Sequence, residues 1–338
     1  MKGIVRGMTD KILRIKTPTE SYVLTDYPEA IDFAEKQNGV FWLHNEIKVE
    51  KDKQDLLVNM TPAEKHGVIT TLKLFTKYEL LVGTEYWGDV IAKRYPRPEI
   101  QRMANAFAFF ELNVHAPFYN KINEELGLAT DEFYTSYVND PILKDRIDFI
   151  DGILNNDSEL LSLAGFSLIE GAVLYSSFAY LKHFQSQGKN KLMNVVRGIN
   201  FSVRDENIHA EAGAWLFKTL AKELGYTAQH YEHIYKQIIE IAQKVYEHEA
   251  RIIDMIFEKG SVEGISAHQM KEFVKSRINE CLKRLGIDKI FTVKYNPIAE
   301  WFYKGINDFQ FNDFFAGMGN QYNRNWEKAG FIWKGKVS

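Results

Sequence analysis

The most apolar stretch of the chain, residues 160–184, contains a single acidic residue, Glu170, near its middle. An ionised carboxylate inside an apolar core is costly unless it is paired or bound to a metal ion. Two other apolar segments carry acids in the same way, Glu79 in residues 74–81 and Glu111 in residues 109–115. Any fold of this chain must therefore bring these carboxylates to partners inside the protein.

Helix signals run along most of the chain. Thr61-Pro62-Ala63-Glu64 is a capping box with proline at the first helical position, and Ser266-Ala267-His268-Gln269 is a second box. Apolar residues recur at helical spacing, which predicts helices over 61–90, 98–126, 141–154, 160–184, 191–224, 228–258 and 266–285. The pattern favours an all-α helix bundle with additional packed helices.

We expect one domain over residues 1–338, because no repeat, linker or low-complexity tract interrupts the chain. Residues 1–60 form an irregular N-terminal arm with a short helix at 30–36. Residues 61–290 form the bundle, and residues 291–338 form a C-terminal segment.

Two histidines complete a pattern of metal ligands. Glu206 and His209 are three residues apart, and Glu111 and His115 are four apart, so each pair shares a helix face. A glutamate on each of two helices plus a Glu/His pair on each of two others is the ligand set of a dinuclear metal site in a four-helix bundle. The predicted ligands are Glu79, Glu111, His115, Glu170, Glu206 and His209.

One of these assignments has a competitor, because Glu85 lies six residues beyond Glu79 on the same predicted helix. Carboxylate and imidazole ligands suit iron or manganese, and the set lacks the thiolates that select zinc or copper. We expect a dinuclear site, with iron the first expectation and manganese the alternative.

Composition excludes several other classes of protein. The single cysteine, Cys281, cannot form an internal disulfide, a cysteine-rich zinc site or an iron–sulfur cluster. The chain opens without a signal peptide and contains no run of eighteen apolar residues, so we expect no membrane span and a cytoplasmic location. A formal net charge of −3 gives no electrostatic footprint for nucleic acid.

From about residue 41 to 322 the chain resembles the small, radical-generating subunit of class I ribonucleotide reductase. The resemblance is carried by Phe41-Trp42 with Glu46, the helix of Glu79, Glu111/His115/Tyr119, Glu170, Arg204-Asp205-Glu206-Asn207-Ile208-His209, and a late segment from Asn296-Pro297 through Phe314-Phe315 to Tyr322. It implies a ferritin-like fold, a homodimer, and activation of dioxygen by the metal pair. It also implies a separate large subunit that reduces ribonucleotides to deoxyribonucleotides and that binds the C-terminal segment of this chain.

The resemblance also implies residue roles. Tyr119 matches the tyrosine that is oxidised to a stable radical, and it lies one helical turn beyond His115. Trp42, Asp205 and His115 would form the hydrogen-bonded chain that passes the radical outward. Because reduction of a ribonucleotide needs several redox cysteines and this chain has one, the large subunit must supply the thiols.

Three features depart from the family pattern. The family usually has Glu-x-x-His where this chain has Glu111-x-x-x-His115, and we expect a π-type turn to absorb the extra residue beside Pro117. Ser202 lies one turn before Glu206, where the family is usually apolar. No tyrosine follows Tyr322, so Tyr322 or Trp333 would take the place of the redox tyrosine of the family tail.

Three other functions compete with this one. A stand-alone di-metal oxidase or oxygenase would need an apolar substrate cavity beside the metals, and would leave Trp42 and Asp205 without a role. A ferritin-like storage protein would be a shorter bundle. A bundle without metal would leave Glu111, Glu170 and Glu206 unpaired in apolar helices, at several kcal/mol each.

Overall fold

The computed structural model describes residues 12–303, and helices dominate this range, with one isolated β-bridge between Val262 and Ile265. Three of the helices contain a widened π-helical stretch. In chain order the helices are α1 Pro28–Gly39; α2 Pro62–Leu80 with π-helix Leu81–Ile91 and Ala92–Arg94; α3 Pro98–Phe110 with π-helix Glu111–His115 and Ala116–Glu125; α4 Asp131–Asn139; α5 Pro141–Leu154; α6 Glu159–Leu168 with π-helix Ile169–Val173, Tyr175–Lys182 and a 3₁₀ turn His183–Gln185; α7 Met193–Leu224; α8 Ala228–Ile256; and α9 Ala267–Leu285.

The predicted capping signals begin helices where the sequence places them. At the start of α2, Glu64 N donates to Thr61 Oγ1 at 3.2 Å and Thr61 N donates to Glu64 Oε2 at 2.9 Å. At the start of α9, Gln269 N donates to Ser266 Oγ at 3.3 Å. These bonds satisfy backbone donors that a helix start leaves free, and the prediction of a mainly helical chain is confirmed.

Two parts of the described chain differ from the prediction. Helix α4 is absent from the predicted helices; Thr130 caps it, with its hydroxyl accepting from Phe133 N at 3.3 Å. In the N-terminal arm, α1 is longer than predicted, and short 3₁₀ or π turns cover Arg14–Lys16, His44–Glu46, Val49–Asp52 and Asp55–Asn59. Both differences arise where the apolar period is too short to mark a helix.

Four long helices, α2, α3, α6 and α7, bring the acidic residues of the apolar stretches together. Helix α1 packs across α3 and α7, while α8 and α9 pack on the far side of α6. Glu79, Glu111, Glu170 and Glu206 are all buried, at 2% relative exposure or less. The carboxylates therefore lie in the centre of the bundle, surrounded by apolar side chains on every helix.

Helix α6 is the most apolar of these helices. Among the described residues, it is the one helix long and apolar enough to cross a membrane, and its most apolar window is entirely buried by the neighbouring helices. Its apolarity is therefore accounted for by its central place in the bundle.

Candidate metal centre

The six predicted ligands form two groups that share two members. Ligand atoms of Glu79, Glu111, His115 and Glu206 lie within 4.8 Å of one another. A second group with the same spacing contains Glu111, Glu170, Glu206 and His209. Glu111 and Glu206 belong to both groups, so the arrangement has places for two ions with two carboxylates between them.

His115 presents one ring nitrogen to this cluster and the other to an outer partner. Its Nδ1 lies 3.0 Å from Glu111 Oε2, 3.5 Å from Glu206 Oε1 and 3.7 Å from Glu79 Oε2. Its Nε2 lies 3.0 Å from Asp205 Oδ2. Since a carboxylate accepts, Nε2 carries a proton and donates to Asp205, and Nδ1 is the nitrogen that would bind a metal ion once it has lost its own proton.

His209 has the same orientation with a different outer partner. Its Nδ1 lies 2.8 Å from Glu111 Oε1 and 3.8 Å from Glu206 Oε2. Its Nε2 lies 3.2 Å from Oε1 of Gln37, a fully buried residue of α1. The sequence does not identify Gln37 as part of the site, because it lies 172 residues from His209 and belongs to no local motif.

The π-helical stretches supply the local geometry. Glu111 and His115 begin and end the π-helix Glu111–His115, so the predicted π turn is confirmed. Glu170 lies in the π-helix Ile169–Val173, and Glu79 lies two residues before the π-helix Leu81–Ile91. Such stretches are frequent at functional sites because the extra residue re-aims the neighbouring side chains.

Gly83 explains how α2 approaches α3 so closely. A Cβ at this position would lie 2.8 Å from Cβ of Glu111 and 2.9 Å from Cγ of Leu112. Real Cβ atoms do not come this close, so glycine is what allows the π-helical part of α2 to pack directly on the Glu111 turn.

The electrostatics of the cluster favour added positive charge. Burial, reinforced by Glu111, raises the pKa of Glu79 well above its usual range and that of Glu206 to about 8. Burial and Glu206 raise the pKa of Glu170 well above its usual range. Against the opposing effect of burial, Glu111 and Asp205 raise the pKa of His115, and His115 lowers the pKa of Glu111.

The donor atoms of the cluster fit a pair of divalent cations. Both oxygens of Glu79 and of Glu206, and Oε2 of Glu170, are buried without a hydrogen-bond partner. Buried polar atoms of this kind normally have one, so their convergence on one point indicates a ligand. Four carboxylates would balance two divalent cations, and all the donors are oxygen or imidazole nitrogen.

Two contacts bear on the choice of carboxylates. Trp87 of α2 donates from Nε1 to Oε1 of Glu170 at 2.7 Å, which leaves Oε2 for the cluster. Glu85 is exposed, whereas Glu79 is 1% exposed and belongs to the first group. The geometry therefore favours Glu79 over its competitor.

Tyr119 lies on α3 in an aromatic cage. Its ring stacks on Phe75 at 3.9 Å between centroids and 5° between planes, and Phe118 lies 5.1 Å away. Burial, with Glu79 next, raises the pKa of the Tyr119 phenol well above its usual range, and the buried Ser202 opposes this rise. Tyr119 is therefore a neutral phenol at physiological pH, and it is shielded from water.

Trp42 joins the cluster from the N-terminal arm. Its Nε1 donates to Oδ2 of Asp205 at 2.8 Å, and the same oxygen is the partner of His115. Trp42, Asp205 and His115 are each at most 2% exposed. The three side chains that the family resemblance connects are thus hydrogen-bonded in series.

The predicted residues of the C-terminal tail, Tyr322 and Trp333, and the family segment Phe314-Phe315 lie outside the described residues.

Residues 21–297 match the family described as ribonucleotide reductase, small chain. The chain belongs to that family. It is therefore a subunit of an enzyme of the ribonucleotide reductase class, and the sequence-based recognition is confirmed.

Curated relatives carry the same description. The chain is 26% identical over 297 residues to the ribonucleoside-diphosphate reductase subunit beta of Bacillus phage SPbeta, covering 84% of this chain and 85% of that one. It is 27% identical over 300 residues to the subunit beta of Bacillus subtilis, with 84% and 85% covered. A probable small subunit of Invertebrate iridescent virus 3 is 24% identical over 322 residues, with 88% and 82% covered.

Solved structures show the fold. The dimanganese(II)-NrdF of Streptococcus sanguinis superposes with a TM-score of 0.73 at 23% identity, covering 83% of this chain and 97% of that chain. The ribonucleotide reductase R2 subunit of Clostridium botulinum gives a TM-score of 0.72 at 20% identity, with 82% and 88% covered. The predicted ferritin-like helix bundle is therefore confirmed.

Proposed function

We propose that this chain holds a dinuclear iron or manganese centre, activates dioxygen there, and generates a tyrosyl radical on Tyr119 that passes to a separate large subunit. The observation that supports this proposal most directly is the pair of four-residue ligand groups sharing Glu111 and Glu206. Each histidine in these groups directs Nδ1 inward and has Nε2 fixed from outside.

The ligands divide between the two ions by the two groups. Glu79, Glu111 and His115 would hold one ion and Glu170, Glu206 and His209 the other, and Glu111 and Glu206 each belong to both groups. Iron remains the first expectation. Manganese is supported by the dimanganese form of the Streptococcus sanguinis relative, since both metals accept this oxygen and imidazole set. When bound, the metal pair would supply the oxidising equivalent, drawn from dioxygen, for one-electron oxidation of a nearby phenol.

Tyr119 is suited to this oxidation by its surroundings. Because burial holds its pKa high, the phenol is neutral before it is oxidised, so formation of a neutral tyrosyl radical removes a proton as well as an electron. Phe75 and Phe118 exclude water from the ring and would protect the resulting radical. Ser202 is the polar exception in this cage, and we expect it to tune the lifetime of the radical.

The series His115, Asp205 and Trp42 would conduct the radical outward. Asp205 Oδ2 accepts from both neighbours, so it holds the imidazole and the indole in fixed orientations. Trp42 follows Phe41, whose side chain is 45% exposed, so the series leads from the centre of the bundle toward the surface. The outer end would meet the large subunit, whose cysteines carry out the reduction of ribonucleotides to deoxyribonucleotides.

We further propose that the chain acts as a homodimer in the cytoplasm, as one domain whose C-terminal segment 291–338 docks the large subunit. Membership of the small-chain family supports the partnership with a large subunit. Neither nucleic acid nor a membrane is expected as a partner.

A stand-alone di-metal oxidase or oxygenase is the alternative function. It would need an apolar cavity beside the metals. A cavity of about 970 Å³ lies between α1, α7, α9 and the segment before residue 303, but none of the six cluster residues lines it. Its wall includes the charged side chains Lys36, Arg204, Glu211, Arg277, Glu280 and Arg284. This cavity therefore does not favour an apolar substrate at the metal centre.

The deciding experiment is aerobic reconstitution of the full chain with iron, and separately with manganese, followed by metal analysis and electron paramagnetic resonance. We expect two metal ions per chain and a tyrosyl signal that Tyr119→Phe abolishes while both ions remain bound. A second assay measures ribonucleotide reduction with an added large subunit. Full loading without any tyrosyl signal, together with no activity beside the large subunit, would overturn the proposal.

A further inference from the structure

Two buried arginines bind the backbone of the π-helix that carries Glu170. The carbonyl oxygen of Gly171 accepts from Nη2 of Arg277 at 2.9 Å and from Nε at 3.2 Å. The carbonyl oxygen of Val173 accepts from Nη2 of Arg146 at 2.9 Å. The turn that presents Glu170 is therefore held by guanidinium groups from two other helices, α9 and α5.

The surroundings of Arg277 show that this backbone contact is its main polar interaction. Arg277 is 3% exposed, and it makes no ion pair with any acid in residues 12–303. Its remaining partners are the hydroxyl of Tyr303, 3.1 Å from Nη1, and the ring of Tyr175, 4.0 Å from the guanidinium carbon. Arg146, by contrast, lies 3.2 Å from the carboxylate of Glu249.

Burying a guanidinium without a carboxylate is costly. Arg277 nevertheless directs two of its donors to one carbonyl. This forked contact fixes the position of the carbonyl more tightly than a single hydrogen bond does.

Gly171 is what lets α9 reach the backbone. A Cβ at this position would lie 2.3 Å from Sγ of Cys281 and 3.2 Å from Cβ of Ala210. Cys281 is one helical turn beyond Arg277 on α9, so α9 packs against bare backbone at the residue that follows Glu170.

We propose that Arg277 is a positioning residue for Glu170, which it keeps aimed at the metal pair by holding the carbonyl of the next residue. This inference rests on the proposed metal centre. A π-helical turn has a less regular hydrogen-bond pattern than an α-helix, so an external donor to one of its carbonyls stabilises one of its conformations. Loss of that donor would leave Glu170 less firmly positioned and would weaken the binding of the ion that Glu170 holds. The ion bound by Glu79 and His115 would keep its ligands.

The test is a titration of the full chain with Mn²⁺, with free Mn²⁺ measured by its electron paramagnetic resonance signal. We compare wild type with Arg277→Gln, Glu170→Gln and the double variant. We expect Glu170→Gln and Arg277→Gln each to lower the affinity for one of the two Mn²⁺ ions. For Arg277→Gln the loss should be about tenfold, as is typical when a ligand loses an outer hydrogen-bond partner. The double variant should bind no more weakly than Glu170→Gln alone, because the two residues act through one ligand.

Lys275→Gln is the matched control. Lys275 lies on the same helix, and its Nζ donates to Glu272 Oε1 at 2.7 Å, away from the π-helix and from every proposed ligand, so both ions should bind as in wild type. If Arg277→Gln does not fold, as judged by circular dichroism, Arg277→Lys takes its place, because lysine keeps the charge but cannot form the fork.

Three results would overturn the positioning role. Arg277→Gln could bind Mn²⁺ as wild type does, it could lose affinity for both ions equally, or the losses of affinity in the two single variants could add in the double variant. If instead wild type binds fewer than two ions, or Glu170→Gln binds as wild type does, the metal centre itself fails, and the inference fails with it.

Discussion

The indole nitrogen of Trp42 donates a 2.8 Å hydrogen bond to Oδ2 of Asp205, across 163 residues of sequence. This contact ties the N-terminal arm to helix α7 at the residue beside Glu206. The indole has one hydrogen-bond donor, Nε1, so replacing Trp42 by phenylalanine removes this bond to Asp205 while every proposed metal ligand stays in place.

Trp42→Phe should leave radical formation intact and abolish its transfer. The tyrosyl signal after aerobic reconstitution should match that of wild type, whereas ribonucleotide reduction with the large subunit should fall to background. Because a buried hydrogen bond to a carboxylate is lost, the free energy of unfolding should fall by about 1.5–3 kcal/mol. Trp215→Phe is the control, since Trp215 packs on Tyr27 and Phe33, away from the cluster; reduction that persists in Trp42→Phe would exclude Trp42 from the transfer chain.

Gly83→Ala should disturb the metal centre through the backbone. The new methyl group would meet Glu111 and Leu112 at less than 3 Å, and overpacking of this kind costs about 1–3 kcal/mol. Mn²⁺ binding should weaken, because Glu111 must move. Gly152→Ala, at an exposed helical position with nothing within 4 Å, should instead stabilise the protein by roughly 0.5–1 kcal/mol. Urea unfolding and Mn²⁺ titration measure both effects, and equal behaviour of the two variants would contradict the prediction.

Glu79→Gln and Glu85→Gln separate the two candidate ligands on α2. Glu79→Gln should weaken the binding of one of the two Mn²⁺ ions, because a neutral amide replaces a buried carboxylate in the ligand group that contains His115. Glu85→Gln should bind Mn²⁺ as wild type does, since Glu85 is exposed. The reverse result would move the ligand to Glu85.

Lys182→Met should change how stability depends on pH. Lys182 is buried on α6, where it donates to the carbonyl oxygen of Phe302 at 2.9 Å, and burial lowers its pKa from 10.5 to about 7. Above pH 7 the folded protein therefore binds one proton fewer than the unfolded chain, so the free energy of unfolding rises with pH through this group. The slope is at most about 1.4 kcal/mol per pH unit.

In Lys182→Met this contribution disappears. The difference in unfolding free energy between wild type and variant should be flat below pH 7 and should increase from pH 7 to 9, as measured by urea unfolding. Lys236→Met, at an exposed lysine paired with Glu232, should show no such change. A flat difference for Lys182→Met over the whole range would mean that the buried lysine keeps its ordinary pKa.

The sequence predicts most of the fold because its helix signals are local. Thr61 with Glu64 and Ser266 with Gln269 mark helix starts within four residues, and the structure places both capping boxes there. The π turn at Glu111–His115 is predictable because this chain has one residue more between glutamate and histidine than the family's usual Glu-x-x-His, beside Pro117. These features involve residues that are neighbours in sequence.

The remaining features depend on contacts that are distant in sequence. No unusual spacing of residues in the sequence marks the π-helices Leu81–Ile91 and Ile169–Val173. Gly83 and Gly171 are needed only because side chains of α3 and α9, which are distant in sequence, pack directly against them. Gln37 and Arg277 reach the site from 172 and 106 residues away in sequence. Their contributions become visible only in three dimensions.

The π-helices have a consequence for how such proteins diverge. Each extra residue in a helix rotates everything beyond it by about 100°, so an insertion would normally turn a buried face toward solvent. A π turn confines that rotation to a few residues, and the chain on either side keeps its place in the core. A metal centre built on such turns can therefore gain or lose a residue between two of its ligands, as between Glu111 and His115, while the ligand atoms still meet at the same point in the bundle.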